Sequence, residues 1–362
     1  VNVAGRLDTS GAGPDARGGS VDVLGDKVLI ADSAHINTSG PAGGGTMHIG
    51  GDLHGEGERQ AASQTVVMPG AQITADATEA GDGGQLVVWA DESASIHGEI
   101  SARGGAESGD GGFIETSGKN HLNLTSTPDA SSPNGDGGEW LIDPADITIV
   151  QGSPPVISVA AIDFGTSIVY ADLVNSALTN GTSVIMDTST LVDDQQGNIT
   201  QNSDATITML NTVAEEAFTA TLTMNANNSI FLNGVIEVSI DDSFPDAQLN
   251  VELNADIDGS GDGAIVMNPG SQISTNGGNV SMHGVGTVQN DDGILLNSAT
   301  INTDGGDISL TGTGSGGNSN SYGILIFSSA LRSGTGSIAL SGFGGGDTGI
   351  FNRGINIQDG SI

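Results

Sequence analysis

The tetrapeptide Gly-Asp-Gly-Gly recurs at residues 81–84, 109–112 and 135–138, so its copies start 28 residues (81 to 109) and 26 residues (109 to 135) apart. Each copy runs directly into a β-type stretch: Gln85-Leu86-Val87-Val88-Trp89, Phe113-Ile114-Glu115-Thr116 and Glu139-Trp140-Leu141-Ile142. Degenerate copies, Arg17-Gly18-Gly19 and Gly43-Gly44-Gly45, precede Ser20-Val21-Asp22-Val23 and Thr46-Met47-His48-Ile49. Further short strands follow, as in Ala94-Ser95-Ile96-His97 and Gly98-Glu99-Ile100-Ser101. A period in the twenties, with three short strands between Gly, Asn and Asp corners, predicts one coil of a parallel β-helix per repeat.

Strands this short cannot stand alone. Stacked ~4.8 Å apart, each coil pairs its backbone with the coils on either side. Val21, Val23, Leu86, Val88, Ile96, Ile100 and Ile114 then point inward and form aliphatic columns. Corners that need positive φ account for the 58 glycines, since Gly takes that conformation without steric cost and Asn or Asp tolerates it. The expected fold is all-β, a right-handed parallel β-helix (solenoid) of short strands with one short helix-containing excursion.

Composition divides the chain. Residues 1–150 read as a Gly-rich β-helix segment and contain most of the basic residues, whereas residues 120–331 hold no Lys or Arg at all. Residues 151–196 read as a non-repetitive excursion, opening at Pro154-Pro155. It carries a helix signal near 171–179, Ala171-Asp172-Leu173-Val174-Asn175-Ser176-Ala177-Leu178, ended by Asn180-Gly181. Residues 197–362 read as an Asn/Gly-rich β-helix segment cut mid-repeat at Ile362, so more chain or a partner is expected to continue the stack.

The net charge of −36 excludes a nucleic-acid binder that works by neutralising phosphate, and it disfavours docking on an anionic membrane. The longest apolar candidate, residues 322–331, is too short for a membrane span, so no membrane insertion is expected. The absence of Cys removes disulfides, thiol catalysis and thiolate metal sites. Residue 1 already lies in patterned sequence, with no basic region leading into an apolar one. The chain therefore reads as cytosolic or as a portion whose export signal lies elsewhere.

Several strings resemble the β-helical exoproteins of two-partner secretion, the filamentous-haemagglutinin-like adhesins of Gram-negative bacteria. They are Met47-His48-Ile49-Gly50-Gly51-Asp52-Leu53-His54-Gly55, Gly81-Asp82-Gly83-Gly84-Gln85-Leu86-Val87-Val88-Trp89-Ala90-Asp91 and Gly98-Glu99-Ile100-Ser101-Ala102-Arg103-Gly104-Gly105. Two more are Gly109-Asp110-Gly111-Gly112-Phe113-Ile114-Glu115-Thr116-Ser117-Gly118-Lys119 and Leu141-Ile142-Asp143-Pro144-Ala145-Asp146-Ile147-Thr148-Ile149. Together they cover most of residues 18–150, while residues 197–362 match only the generic Asn/Gly/Thr-rich repeats of such proteins. The resemblance implies an extracellular right-handed β-helix, secreted unfolded through an outer-membrane pore and displayed as a fibre at the cell surface. The N-terminal secretion domain of such proteins is not evident, so the chain would be an internal or processed portion.

Asp82, Asp110 and Asp136 recur at equivalent corners and form either a Ca²⁺ ladder or a row of corner carboxylates facing water. The second reading is favoured, because the Ca²⁺-binding nonapeptide and the EF-hand loop are both absent. Asp256, Asp258 and Asp262, together with Asp193-Asp194, Asp241-Asp242 and Asp291-Asp292, are candidates for weakly bound hard cations, with solvated turns as the alternative. His48 and His54, with His35 one coil earlier, suggest a transition-metal site or simply scattered surface histidines. Trp89 and Trp140 read as sugar platforms or as packing, the latter favoured. Arg103 and Lys119 are expected to bridge local carboxylates, and Asn276, Asn302 and Asn250 or Asn254 to form amide ladders along the stack.

A lyase would need a cationic base and cations for a polyanionic substrate, which residues 120–331 do not supply. An inverting hydrolase would need only paired carboxylates and stays an alternative. The favoured function is a non-catalytic extracellular fibre segment, an acidic rod presenting many weak contacts to cell-surface glycans or proteins. A head-to-tail filament of copies of the same chain is the second structural reading. No cofactor is expected beyond weakly bound Ca²⁺.

Overall fold

The computed structural model describes residues 1–155, 167–190, 196–210, 218–239, 247–287, 292–316, 320–346 and 352–362. The chain is all-β: parallel strands stack as a β-solenoid of about 11 turns, with one short helix. Backbone contacts divide it into two compact units, residues 1–145 with 152–185, and residues 146–151 with 186–362. The helix-containing part of the expected excursion, residues 167–185, belongs to the first unit. Residues 156–166 and 191–195 of that stretch lie outside the described residues, as do Asp193, Asp194, Asp241, Asp242 and Asp291.

In the first unit one sheet stacks Ser20–Val23, Thr46–Ile49, Gln85–Ala90, Phe113–Gly118, Glu139–Ile142 and the first three residues of Ser183–Asp187. A second stacks Asn2–Val3, Lys27–Ile30, Gln64–Val67, Ser93–Ile96, His121–Leu124 and Ile168–Tyr170, and a third stacks Arg6–Asp8, His35–Asn37, Gln72–Thr74 and Glu99–Ser101. Registers are exact across coils. Val21, Met47, Leu86, Ile114 and Trp140 make one inward column, and Ile30, Val67, Ile96 and Leu124 another. All seven positions expected to point inward are buried.

The helix, Ala171–Thr179, begins directly after Ile168–Tyr170, with Asp172 in its first turn, where a carboxylate suits the helix dipole. It buries Ala171, Leu173, Val174, Ala177 and Leu178. The Leu173 carbonyl accepts from Thr127 Oγ1 at 3.2 Å, and the chain then turns at Gly181 (φ 91°) into Ser183–Asp187.

In the second unit Ile147–Val150, Ile199–Gln201, Ile230–Leu232, Ile265–Met267, Ile294–Asn297, Ile324–Phe327 and Ile355–Gln358 stack in one sheet. Its leading column is isoleucine throughout: Ile147, Ile199, Ile230, Ile265, Ile294, Ile324 and Ile355. Two further sheets complete the coils. Thr206–Leu210 leads to Ala330–Arg332 in one, and Thr219–Ala226 leads to Ile338–Phe343 in the other.

The corners correct one expectation. A Cβ on Gly83 would lie 2.0 Å from the Ala102 carbonyl oxygen, and one on Gly306 2.1 Å from that of Gly278. These glycines are required because the neighbouring coil's backbone occupies the space of a side chain. Positive φ alone is the reason at positions such as Gly259 (67°) and Gly270 (90°), where a Cβ would meet open space.

Candidate functional site

Alternation along Gln85–Ala90 places Leu86 and Val88 inward and Val87 and Trp89 outward, yet both outward side chains are buried, at 0% and 1% exposure. The same holds one coil on, where Glu115 and Ser117 occupy the outward positions and are fully buried. Register aligns Val87 with Glu115 and Leu141, and Trp89 with Ser117. The Ser117 hydroxyl accepts from the Asp143 backbone N–H at 3.1 Å, which brings Asp143 into line with it.

A loop from Gly50 to Ala62 covers this outer face. Its base is closed by the Ala62 N–H donating to the Gly50 carbonyl at 2.7 Å. Glycine lets it lie flat on the indole: a Cβ on Gly51 would meet Trp89 Cδ1 at 2.8 Å, and one on Gly55 would meet Cζ2 at 2.4 Å. On the outside, Arg59 clamps Asp52 (Nη1 to Oδ1, 2.6 Å) and reaches Asp22 (Nε to Oδ1, 3.2 Å). Inside, the 3₁₀ turn Leu53–Gly55 holds His54 at φ 55°, a left-handed conformation unusual for a side chain with a Cβ.

That backbone brings three distant residues together. His54 Nδ1 lies 2.6 Å from Asp143 Oδ2, and the His54 backbone N–H donates to both Glu115 carboxylate oxygens at 3.2 Å. Asp143 and Glu115 are fully buried, while the His54 side chain is one-third exposed. Burial pushes the Glu115 carboxyl up to about 8, and the Asp143 charge adds to the rise. The His54 charge and hydrogen bonds from Ser117 and the His54 N–H oppose it. One ligand-capable atom from each residue can be chosen so that all three lie within 4.8 Å of one another. The chemistry available is that of an imidazole facing two desolvated carboxylates: proton sharing or coordination of a cation.

Of the expected histidine group, only His54 takes part. His48 turns to Asp22 (Nδ1 to Oδ1, 3.1 Å), and His35 stands in a different sheet. Trp89 and Trp140 are both buried, which rules out sugar platforms, and Trp140 donates to Thr116 Oγ1 at 2.7 Å. Arg103 bridges locally to Asp76 at 2.9 Å.

The recurring aspartates form a ladder to backbone. Asp82 Oδ1 accepts from the Asp110 N–H, and Asp110 Oδ1 from the Asp136 N–H, each at 2.9 Å. Asp256, at φ 59°, accepts from Ser260 Oγ and from the N–H groups of Gly261 and Asp262, while Asp258 accepts from the Ser260 N–H. Asn254 joins the expected amide ladder, donating to Asn225 Oδ1 at 3.0 Å, and Asn250 accepts from the Asn279 N–H at 2.9 Å. Asn276 donates to the Ala247 carbonyl at 2.8 Å, and Asn302 stands in register with Ser274 and Arg332.

No protein-family model matches the chain, and no curated protein does either. Among the described residues, no helix is long and apolar enough to cross a membrane.

Sequence reasoning missed Glu115 and Asp143 because their partner is 61 and 89 residues away. A signal was nonetheless present. Leu86-Val87-Val88-Trp89-Ala90 is apolar without alternation, the pattern of a strand buried on both faces, which requires something to cover the outer one.

Proposed function

We propose that the chain is a non-catalytic structural and adhesive segment of a secreted bacterial surface protein, exposed outside the cell and binding glycans or proteins through many weak contacts. The observation that supports this best is the repetition of outward polar side chains in register. Glu252, Ser281 and Ser309 form one row, and Asn225, Asn254, His283, Thr311 and Ser341 form another. Rows spaced by one coil, ~4.8 Å, offer the same chemistry repeatedly along a face, so weak single contacts add through avidity. Strong acidity supports the reading by keeping such a segment soluble. The strings that resemble two-partner secretion exoproteins favour export through an outer-membrane pore.

The test compares beads densely coated with the chain and the free monodisperse chain on glycan arrays and on cells. Retention of coated beads with weak or undetectable binding of the free chain is the expected result. Release of reducing sugar from a polysaccharide panel would overturn the reading in favour of a hydrolase, and the absence of bead retention on every surface would remove the adhesive role.

A further inference from the structure

We infer that His54, Glu115 and Asp143 form a binding site for a divalent transition-metal ion of the Zn²⁺ type, and that the ion fastens the loop from Gly50 to Ala62 onto the sheet beneath it. Three observations converge. The donor set is one imidazole and two carboxylates, with a choice of ligand atoms mutually within 4.8 Å. Both carboxylates are fully buried beside the imidazole, so a dication placed among them offsets the desolvation of the carboxylate oxygens that face it. The loop that supplies the imidazole has glycine at 51 and 55, where any side chain would collide with Trp89, and its ligand residue stands in the left-handed region.

The donor chemistry chooses the ion. An imidazole ligand suits Zn²⁺, Co²⁺ or Ni²⁺, whereas Ca²⁺ takes six to eight oxygens and Mg²⁺ prefers carboxylates and water. Three protein ligands leave a further coordination position for water, and the His54 side chain is one-third exposed. The ligands come from three separate strings of the first unit, Gly50-Gly51-Asp52-Leu53-His54-Gly55, Phe113-Ile114-Glu115-Thr116 and Leu141-Ile142-Asp143-Pro144. A bound ion therefore cross-links segments 61 and 89 residues apart, which is a structural role and independent of the adhesive reading.

The test uses the full chain, stripped with EDTA and titrated with Zn²⁺ in the calorimeter with excess Ca²⁺ and high salt, which suppress loose binding to its 44 acidic side chains. The expected result is one saturable site per chain, weakened ~10–100-fold or more in His54→Ala and in Asp143→Asn and unchanged in His283→Ala. Absence of saturable binding to the native chain, or equal affinity in native and His54→Ala chains, would overturn the proposal. If either variant fails to fold, the native chain loaded with Co²⁺ decides. Intense visible bands of a four- or five-coordinate ion support the site, and the pale spectrum of hydrated Co²⁺ overturns it.

Discussion

Both units leave backbone N–H groups at their corners for side chains of the preceding coil to satisfy, and they do so with different acceptors. In the first unit the acceptors are carboxylates, Asp82 and then Asp110. In the second a ladder stands at a different corner position, directly before Val251, Val280 and Ile308 rather than ahead of the glycine pair, and amides precede a carboxylate: Asn250 accepts from Asn279, Asn279 from Asp307 at 2.8 Å, and Asp307 from Ser337 at 2.7 Å. A second ladder there runs from Asp146 to Asn198 to Ser229 and ends on the Ala264 N–H. At both positions an oxygen on the preceding coil meets a backbone N–H, supplied by a carboxylate in one ladder and mostly by an amide in the other. Stacking thus gives Asp82 and Asp110 a structural role at their corners. The first unit differs in a second way, by closing a loop over an imidazole and two buried carboxylates.

If glycine at the corners answers only to the neighbouring backbone, both units should suffer alike when it is replaced. Gly112→Val and Gly306→Val each place a Cβ about 2.1 Å from a carbonyl oxygen. Each is expected to cost its own unit about 4 kcal/mol or more in urea unfolding. Gly13→Ala, with open space around it, should change stability by no more than about 0.5 kcal/mol. An effect confined to one unit would break the comparison.

Asp143→Ala removes the buried partner of His54 and should cost the first unit about 2–3 kcal/mol, below the full value for a buried pair because the imidazole is partly exposed. Amide exchange should rise first within residues 50–62 and leave the second unit untouched.

The units should also respond oppositely to pH in chelator. Glu115 titrates from 4.5 in the unfolded chain to about 8 in the fold. Its contribution is therefore complete below 4.5 and is lost as pH climbs towards 8. Asp307 is held below its ordinary 3.8, first by the Ser337 backbone N–H and then by the Ser337 hydroxyl. Its contribution is present above 3.8 and is lost as acid drives the pH through its lowered value. Unfolding midpoints followed by local exchange should show these two slopes, with Glu115→Gln flattening the first and Asp307→Asn the second.

The smallest effects belong to single ladder steps. Asp110→Ala and Asn279→Ala should each cost roughly 0.5–1 kcal/mol by chemical denaturation, while Asp110→Asn, which keeps the acceptor oxygen, should be close to silent.

The solenoid was legible because its physics is local. Glycine pairs, short β-branched runs and a fixed period are all properties of neighbouring residues, and Val21, Leu86, Ile96 and Ile114 fall inward as their alternation demands. The site was half legible. His54 stood out as a candidate ligand, but spacing along the chain grouped it with His48, six residues away across the Gly50-Gly51 turn. The loop instead lies across several coils, so the partners of His54 are set by stacking, and nothing in the run Phe113-Ile114-Glu115-Thr116 marks Glu115 as one of them. Only the unbroken apolar run ending in Trp89-Ala90 announced a covered face. The corner glycines were located correctly but given too narrow a reason, because the approach of a neighbouring backbone leaves no trace in local sequence.

The stacking itself can be tested in a chain that has no cysteine of its own. Ser281 and Ser309 face each other in register on adjacent coils, both exposed, and Thr311 lies two residues further along. Register predicts that the thiols of Ser281→Cys/Ser309→Cys, on strands ~4.8 Å apart with parallel Cβ directions, are joined within one chain by dibromobimane, a short thiol cross-linker longer than a disulfide. Ser281→Cys/Thr311→Cys, displaced by a further ~6.6 Å along the strand, should stay unbridged. Bridging of both pairs alike, or of the displaced pair alone, would contradict the stacked, in-register architecture.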